Sequence, residues 1–171
     1  MAVVDLISSG LGLVRSDADI TPAWVEGVLR GSGALEAGVS VTGVSLERIG
    51  EGVGILSILQ RIKPTYSGAT SAPASFVVKY PTDDAGQRFT ADALAFYIRE
   101  CMFYRDHAEG AAFGTARCYA QGIASDNTDF TVALQDISNL RTLNQLEGVS
   151  LDDSRTILTK LADFQIGRAH V

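Results

Sequence analysis

The chain of 171 residues carries 14 Lys+Arg against 20 Asp+Glu, a formal net charge of −6, and 46% of its residues are hydrophobic. That length and apolar content suit one domain with a real core, and exclude a disordered chain, a collagen-like repeat or a disulfide scaffold. The acidic balance argues against nucleic acid as the main partner, because phosphate contacts need a basic surface; it leaves room for a small anionic ligand held by a few local groups. The 2 His and 2 Cys are too few for a multi-ligand zinc site.

No run approaches the roughly 18 apolar residues of a membrane-spanning helix. The opening Met1–Leu6 carries Asp5 and no basic residue, so it reads as mature sequence rather than a secretory signal. Cys101 and Cys118 lack metal-ligand or C-x-x-C spacing and read as free, buried thiols. The expected compartment is the cytoplasm.

Residues 3–14, within an N-terminal arm of residues 1–20, read as a short helix. Thr21-Pro22 opens a second helix, in which Trp24, Val25, Val28 and Leu29 share a face before Gly31-Ser32-Gly33 ends it. A β-rich stretch from Val39 to Ile49, a second from Val53 to Ile62 and a third from Ser75 to Tyr80 follow. Residues 64–75, with Pro, Ser, Gly and Thr, read as a loop between the last two. A long helix is expected from Ala91 to Ala108, then strands at Ala116–Ala124 and Phe130–Leu134. Ser150 and Asp153 have the spacing of a capping box for a last helix running to about Phe164. This order predicts an α+β fold, an antiparallel sheet of about five strands with one long helix packed on it.

The end of the chain is set apart. Ile166-Gly167-Arg168-Ala169-His170-Val171 breaks the helical pattern. It also matches, residue for residue, what a common short-read sequencing adapter encodes in one frame before a stop codon. Residues 166–171 are therefore expected to be read-through, with the natural chain cut near Phe164 or Gln165; the alternative is a genuine short C-terminal tail. Setting them aside removes one positive charge and leaves His107 as the sole histidine.

Three features carry candidate chemistry. Gly50-Glu51-Gly52-Val53-Gly54 joins two strand patterns, and three alternate glycines let backbone amides approach a phosphate without Cβ interference. A Walker loop would need Lys and Ser/Thr after Gly54, where Ile55 stands; a dinucleotide fingerprint would need a following helix. A glycine hairpin over nucleotide phosphates remains, beside the plainer alternative of a tight turn. Lys79 closes the apolar run Phe76-Val77-Val78, either as an edge charge reaching solvent or as a phosphate-gripping lysine one connection after the glycines. Glu100 has Phe96 at i−4 and Phe103 at i+3 on its helix face. A carboxylate among aromatics must find a cation or a set of hydrogen-bond donors. Lys79 is the economical partner and Arg105 the local alternative.

Three segments together resemble the aminoglycoside phosphotransferase and ecdysteroid-kinase-like (choline-kinase-like) family. They are Ile49-Gly50-Glu51-Gly52-Val53-Gly54, Ser75-Phe76-Val77-Val78-Lys79 and Tyr97-Ile98-Arg99-Glu100-Cys101-Met102-Phe103-Tyr104. Val132-Ala133-Leu134-Gln135-Asp136-Ile137 resembles that family's adenine-passing hinge, and Leu161-Ala162-Asp163-Phe164 its first large-lobe helix. The resemblance covers about residues 20–164. It implies a protein-kinase-like small lobe over 21–138, and a linker plus the first helix of a truncated large lobe over 139–165. The implied parent is an ATP- and Mg²⁺-dependent phosphotransferase acting on a hydroxyl of a small molecule. By the same resemblance, Gly50, Gly52 and Gly54 would cover the phosphates, Lys79 would hold them and Glu100 would orient Lys79. Backbone groups near Gln135 and Ile137 would contact adenine.

Phosphoryl transfer also needs a base and metal ligands, which the family draws from a His-x-Asp loop with a downstream Asn and a further Asp. No His-x-Asp occurs here. Asp106-His107 has the reverse order, His107 reads as a helix-end or core residue, and Asp136, Asp152 and Asp153 read as hinge and helix-start charges. This chain alone is therefore expected to be inactive and to have no metal site of its own. A non-catalytic interaction module, with the glycines as turns, and a pseudokinase stay open as alternatives.

Overall fold

The computed structural model describes residues 2–50, 56–111, 114–141, 143 and 147–168. The chain is α+β: among the described residues it forms a mixed six-stranded sheet in the order β1-β5-β6-β4-β3-β2, with four α-helices. The strands are β1 (Val4–Asp5), β2 (Val41–Ile49), β3 (Ser57–Tyr66), β4 (Phe76–Pro81), β5 (Cys118–Ile123) and β6 (Phe130–Gln135). The helices are α1 (Pro22–Gly31), α2 (Ala85–Ala93), α3 (Phe96–Asp106) and α4 (Leu151–Arg168). Among the described residues, no helix is long and apolar enough to cross a membrane.

α1 starts where a side chain and a ring favour it. Thr21 Oγ1 accepts the Trp24 N–H at 3.2 Å, and Pro22 occupies a first-turn position whose N–H would have no helical partner. Trp24, Val25, Val28 and Leu29 are buried, as their spacing predicts. They pack on the sheet face formed by Ile58, Ile62, Phe76, Val78 and Tyr80. The opposite sheet face carries a smaller cluster of Tyr97 and Cys101 from α3 with Phe130 and Val132 from β6. Strand alternation decides which side chain faces which helix.

The structure departs from the sequence-based expectations in four places. Residues 3–14 form no helix. Asp5 Oδ1 accepts the Ile7 and Ser8 N–H groups, each at 3.0 Å, and Gly10 and Gly12 take positive φ, so the segment turns tightly. Its start becomes β1, parallel to β5, and Leu6 and Val14 are fully buried. The sheet thereby gains a sixth, parallel strand. β3 runs on to Tyr66 through Pro64, which was expected in a loop. β4 pairs with β3 only as far as Ile62, so at Pro64 β3 has β2 as its one strand neighbour, an edge position that proline tolerates.

The long helix is two. α2 begins at Ala85 with Asp84 Oδ1 accepting the Gln87 N–H at 2.8 Å, and Ala95, at φ 54 and ψ 36, separates it from α3. Finally, the backbone helix α4 continues through Ile166, Gly167 and Arg168 instead of stopping near Phe164. Ser150 Oγ accepts the Asp153 N–H at 3.1 Å, in keeping with a start at that point.

Candidate functional site

β4 places Lys79 by simple alternation. Phe76, Val78 and Tyr80 are buried beneath α1, so Lys79 emerges on the other face, toward α3. α3 reaches that face through Tyr97 and Cys101, one turn apart and both buried. Tyr97 stacks on Phe130, with ring centroids 4.3 Å apart and planes at 17°, and its hydroxyl donates to the Leu56 carbonyl at 2.6 Å. Glu100, three residues after Tyr97, then sits on the flank of the packed stripe, facing Lys79.

The Lys79 ammonium donates to Glu100 Oε2 at 2.6 Å and to Oε1 at 2.9 Å. Both side chains are about a quarter exposed (26% and 25%), so the pair lies inside the mouth of a cleft, partly shielded from water. The cleft, about 470 Å³, is lined by Leu56, Phe96, Arg99 and Phe103 besides the pair. Arg105, the local alternative partner, is taken by Asp106 at 2.7 Å. Arg99 is exposed and lines the cleft rim beside the pair.

The neighbouring groups are chemically quiet. Burial pushes the Cys101 thiol up to about 12, with the Glu100 charge adding to it. Burial and then Glu100 push the Tyr104 hydroxyl up to about 12. Neither is a nucleophile at neutral pH. His107 is an exposed C-cap of α3, its N–H bonded to the Phe103 carbonyl, rather than a core residue. Cys101 and Cys118 are both free and buried.

Gly50 ends β2 at φ +72, a backbone state that favours glycine, and an added Cβ there would meet open space. Gly52 and Gly54 lie outside the described residues, so Gly50 and Leu56 are the two ends of the glycine segment that the structure describes. Leu56 is the residue that Tyr97 holds.

Gln135 ends β6. Its N–H donates to the Arg117 carbonyl at 2.8 Å, and its Oε1 accepts the Arg117 N–H at 3.2 Å. Ile137 is 47% exposed, and its carbonyl accepts the Leu140 N–H at 2.9 Å. Between them Asp136 is held firmly. Its Oδ2 accepts from Arg61 Nε at 2.8 Å and Ser75 Oγ at 2.7 Å, and its Oδ1 from the Ser138 N–H at 3.0 Å. Burial alone would raise this carboxyl; the hydrogen bonds from Ser75, Ser138 and Arg61 outweigh it and bring it down to about 2.

The structure therefore brings Lys79 and Glu100 into contact and sets Gln135 and Ile137 at the far end of β6. Sequence reasoning passed over Tyr97, whose place three residues before Glu100 was a usable signal, and the Arg61–Asp136–Ser75 cluster, whose members are 14 or more residues apart and announce nothing locally. Among the described residues, no group of three or more His, Cys, Asp or Glu is placed to hold a metal ion. Compared with models of known protein families and with curated protein sequences, the chain matches none.

Proposed function

We propose that this chain is the nucleotide-binding small lobe, with one following helix, of an ATP-dependent phosphotransferase acting on the hydroxyl of a small molecule. The observation that carries the reading is the two-oxygen contact between Lys79 on a central strand and Glu100 on the helix packed against that face of the sheet. A lysine fixed by a carboxylate presents its charge at one point, which suits holding a polyphosphate in place. A merely surface lysine would gain little from the ordering. The left-handed Gly50 at the end of β2 and the Tyr97 anchor at Leu56 support a glycine hairpin reaching over that point.

The residues fit ATP in part. Lys79 would hold the phosphates, and half-exposed apolar side chains of Leu59, Val77 and Leu134 lead along the same sheet face toward Gln135 and Ile137. With the Gln135 N–H and the Ile137 carbonyl engaged internally, the Gln135 carbonyl and Ile137 N–H are the groups these residues would offer adenine. ATP, when bound, supplies the transferable phosphoryl group. Mg²⁺ finds no ligand cluster among the described residues, so no step is assigned to it here. A base for the acceptor hydroxyl is likewise not assigned to any residue of this chain, which is proposed to be inactive by itself. Two buried free thiols are in keeping with the cytoplasm.

The test is photolabelling of the chain with 8-azido-ATP. Labelling in the 135–138 segment, suppressed by excess ATP and weakened by Lys79→Ala, supports the reading. Labelling indifferent to both ATP and the substitution refutes it and leaves an interaction module. A phosphotransfer assay with Mg²⁺-ATP should give no turnover; turnover abolished by Lys79→Ala would refute the claim of inactivity.

A further inference from the structure

The Asp136 carboxylate has no part in the chemistry proposed above, yet it is among the most firmly held groups of the molecule. Its side chain is 7% exposed and that of Arg61 is 20%. Arg61 extends the cluster across the sheet: its NH1 donates to Glu47 Oε1 at 3.0 Å, and Lys63 Nζ donates to Glu47 Oε2 at 2.7 Å. The cluster thus ties β2, β3 and the lead-in to β4 to the two turns that follow β6. A buried carboxylate with three donors does not drift, because each lost contact strands a charge away from water.

Its place in the sheet matters. Arg61 pairs with Val77, and Val77 lies two residues before Lys79 on the same face of β4. Val77, the strand partner of Arg61, is therefore about 7 Å from Lys79 along β4. Asp136 itself stands between Gln135 and Ile137, whose own contacts differ in kind. Gln135 is tied to Arg117 by its main chain, whereas Ile137 is nearly half exposed and, among the described residues, is hydrogen-bonded only within a local turn through Leu140. Among the described residues, the Asp136 side chain is what ties the backbone at 136–138 to the sheet.

We infer that Asp136, clasped by Arg61 and Ser75, is a positioning residue that sets the height of the 135–137 backbone above the sheet and so fixes where the base of a bound nucleotide is received relative to Lys79. This rests on the nucleotide reading above. It assigns separate duties to two ends of one site: Lys79 holds the phosphates and Asp136 governs the base. Asp136 need not touch the ligand.

The two ends separate experimentally with two probes, ATP and inorganic tripolyphosphate, titrated into the ¹⁵N-labelled chain and followed by amide shifts. These shifts register weak binding, and the same spectra report whether each variant is folded. Asp136→Asn should weaken ATP binding by roughly tenfold, as expected for losing a charge-assisted anchor, and leave tripolyphosphate affinity unchanged. Arg61→Met should act in the same direction and add little to Asp136→Asn when combined. Ser75→Ala, which keeps the ion pair, should show a smaller loss of the same pattern and serves if the stronger variants do not fold. Lys79→Ala should weaken both probes. If the Asp136, Arg61 and Ser75 variants bind both probes like the wild type, or lose both equally, the positioning role is overturned while the nucleotide reading stands. If the wild-type chain binds neither probe, or Lys79→Ala weakens neither, the nucleotide reading fails and the inference with it.

Discussion

Replacing Lys79 by Met removes the charge and keeps the length of the apolar stem, so the change isolates the ion pair with Glu100. Unit charges about 4 Å apart attract by about 4 kcal/mol at an effective dielectric of 20, before the cost of taking both from water. Each side chain here is about three-quarters shielded, which places the pair between exposed pairs, worth about 0.2–1 kcal/mol, and buried ones, where loss of one partner costs about 3–5 kcal/mol. The expected loss for Lys79→Met is about 1–2 kcal/mol, because the Glu100 carboxylate is left between Phe96 and Phe103 without a cation. Glu100→Gln should cost a similar or smaller amount. The double variant should lose about 1 kcal/mol less than the two singles together. Urea unfolding of all four proteins measures this, and the coupling should shrink only partly in 1 M NaCl since water reaches the pair from one side. Additive losses within about 0.3 kcal/mol would refute the reasoning, for they would mean that water, not Lys79, solvates Glu100.

The Asp136 carboxyl is lowered from its ordinary 3.8 to about 2 in the folded chain, so its stabilisation is complete above about pH 4 and is lost as pH falls toward 2. Asp136→Asn should therefore cost about 1–2 kcal/mol at neutral pH and progressively less in acid, seen as a flatter stability curve between pH 4 and pH 2. A gap that stayed constant over that range would contradict the assignment. Ala95 holds a left-handed conformation between α2 and α3, and Ala95→Gly should stabilise by about 0.5–1 kcal/mol in the same urea assay. A Cβ at Gly122 would stand 2.8 Å from Leu13 Cδ2 and 3.0 Å from Leu6 Cβ, so Gly122→Ala should destabilise by about 1–3 kcal/mol. Thr21→Ala should remove the α1 cap and lower stability by about 1 kcal/mol, measured by thermal unfolding.

What could be read along the chain depended on short-range rules. The Thr21-Pro22 start, the buried stripe of Trp24, Val25, Val28 and Leu29, the strand at Phe76 and the pair at Cys118 and Phe130 all follow from capping, helical spacing and alternation, which act within a few residues. Lys79 as a partner for Glu100 was also legible as one of two readings, because the carboxylate sits among aromatics at helical spacing; the structure decides against Arg105, which Asp106 takes. Tertiary structure decided the rest. Residues 3–14 hold apolar spacing that a helix could use, but pairing with β5 and the Gly10 and Gly12 turns buries Leu6 and Val14 better than a helix would. The break at Ala95 has no glycine or proline to announce it; Ala91 of α2 and Tyr97 and Cys101 of α3 reach one cluster with Phe130 and Val132 across it, a long-range packing that no local pattern encodes. The Arg61–Asp136–Ser75 clasp joins residues from three segments. Only the sheet order, with β6 beside β4 and β4 beside β3, brings them together. The sequence by itself determined which groups needed partners, through their charge and burial; the fold alone decided which partners they met, because strand order is a long-range choice that no local pattern encodes.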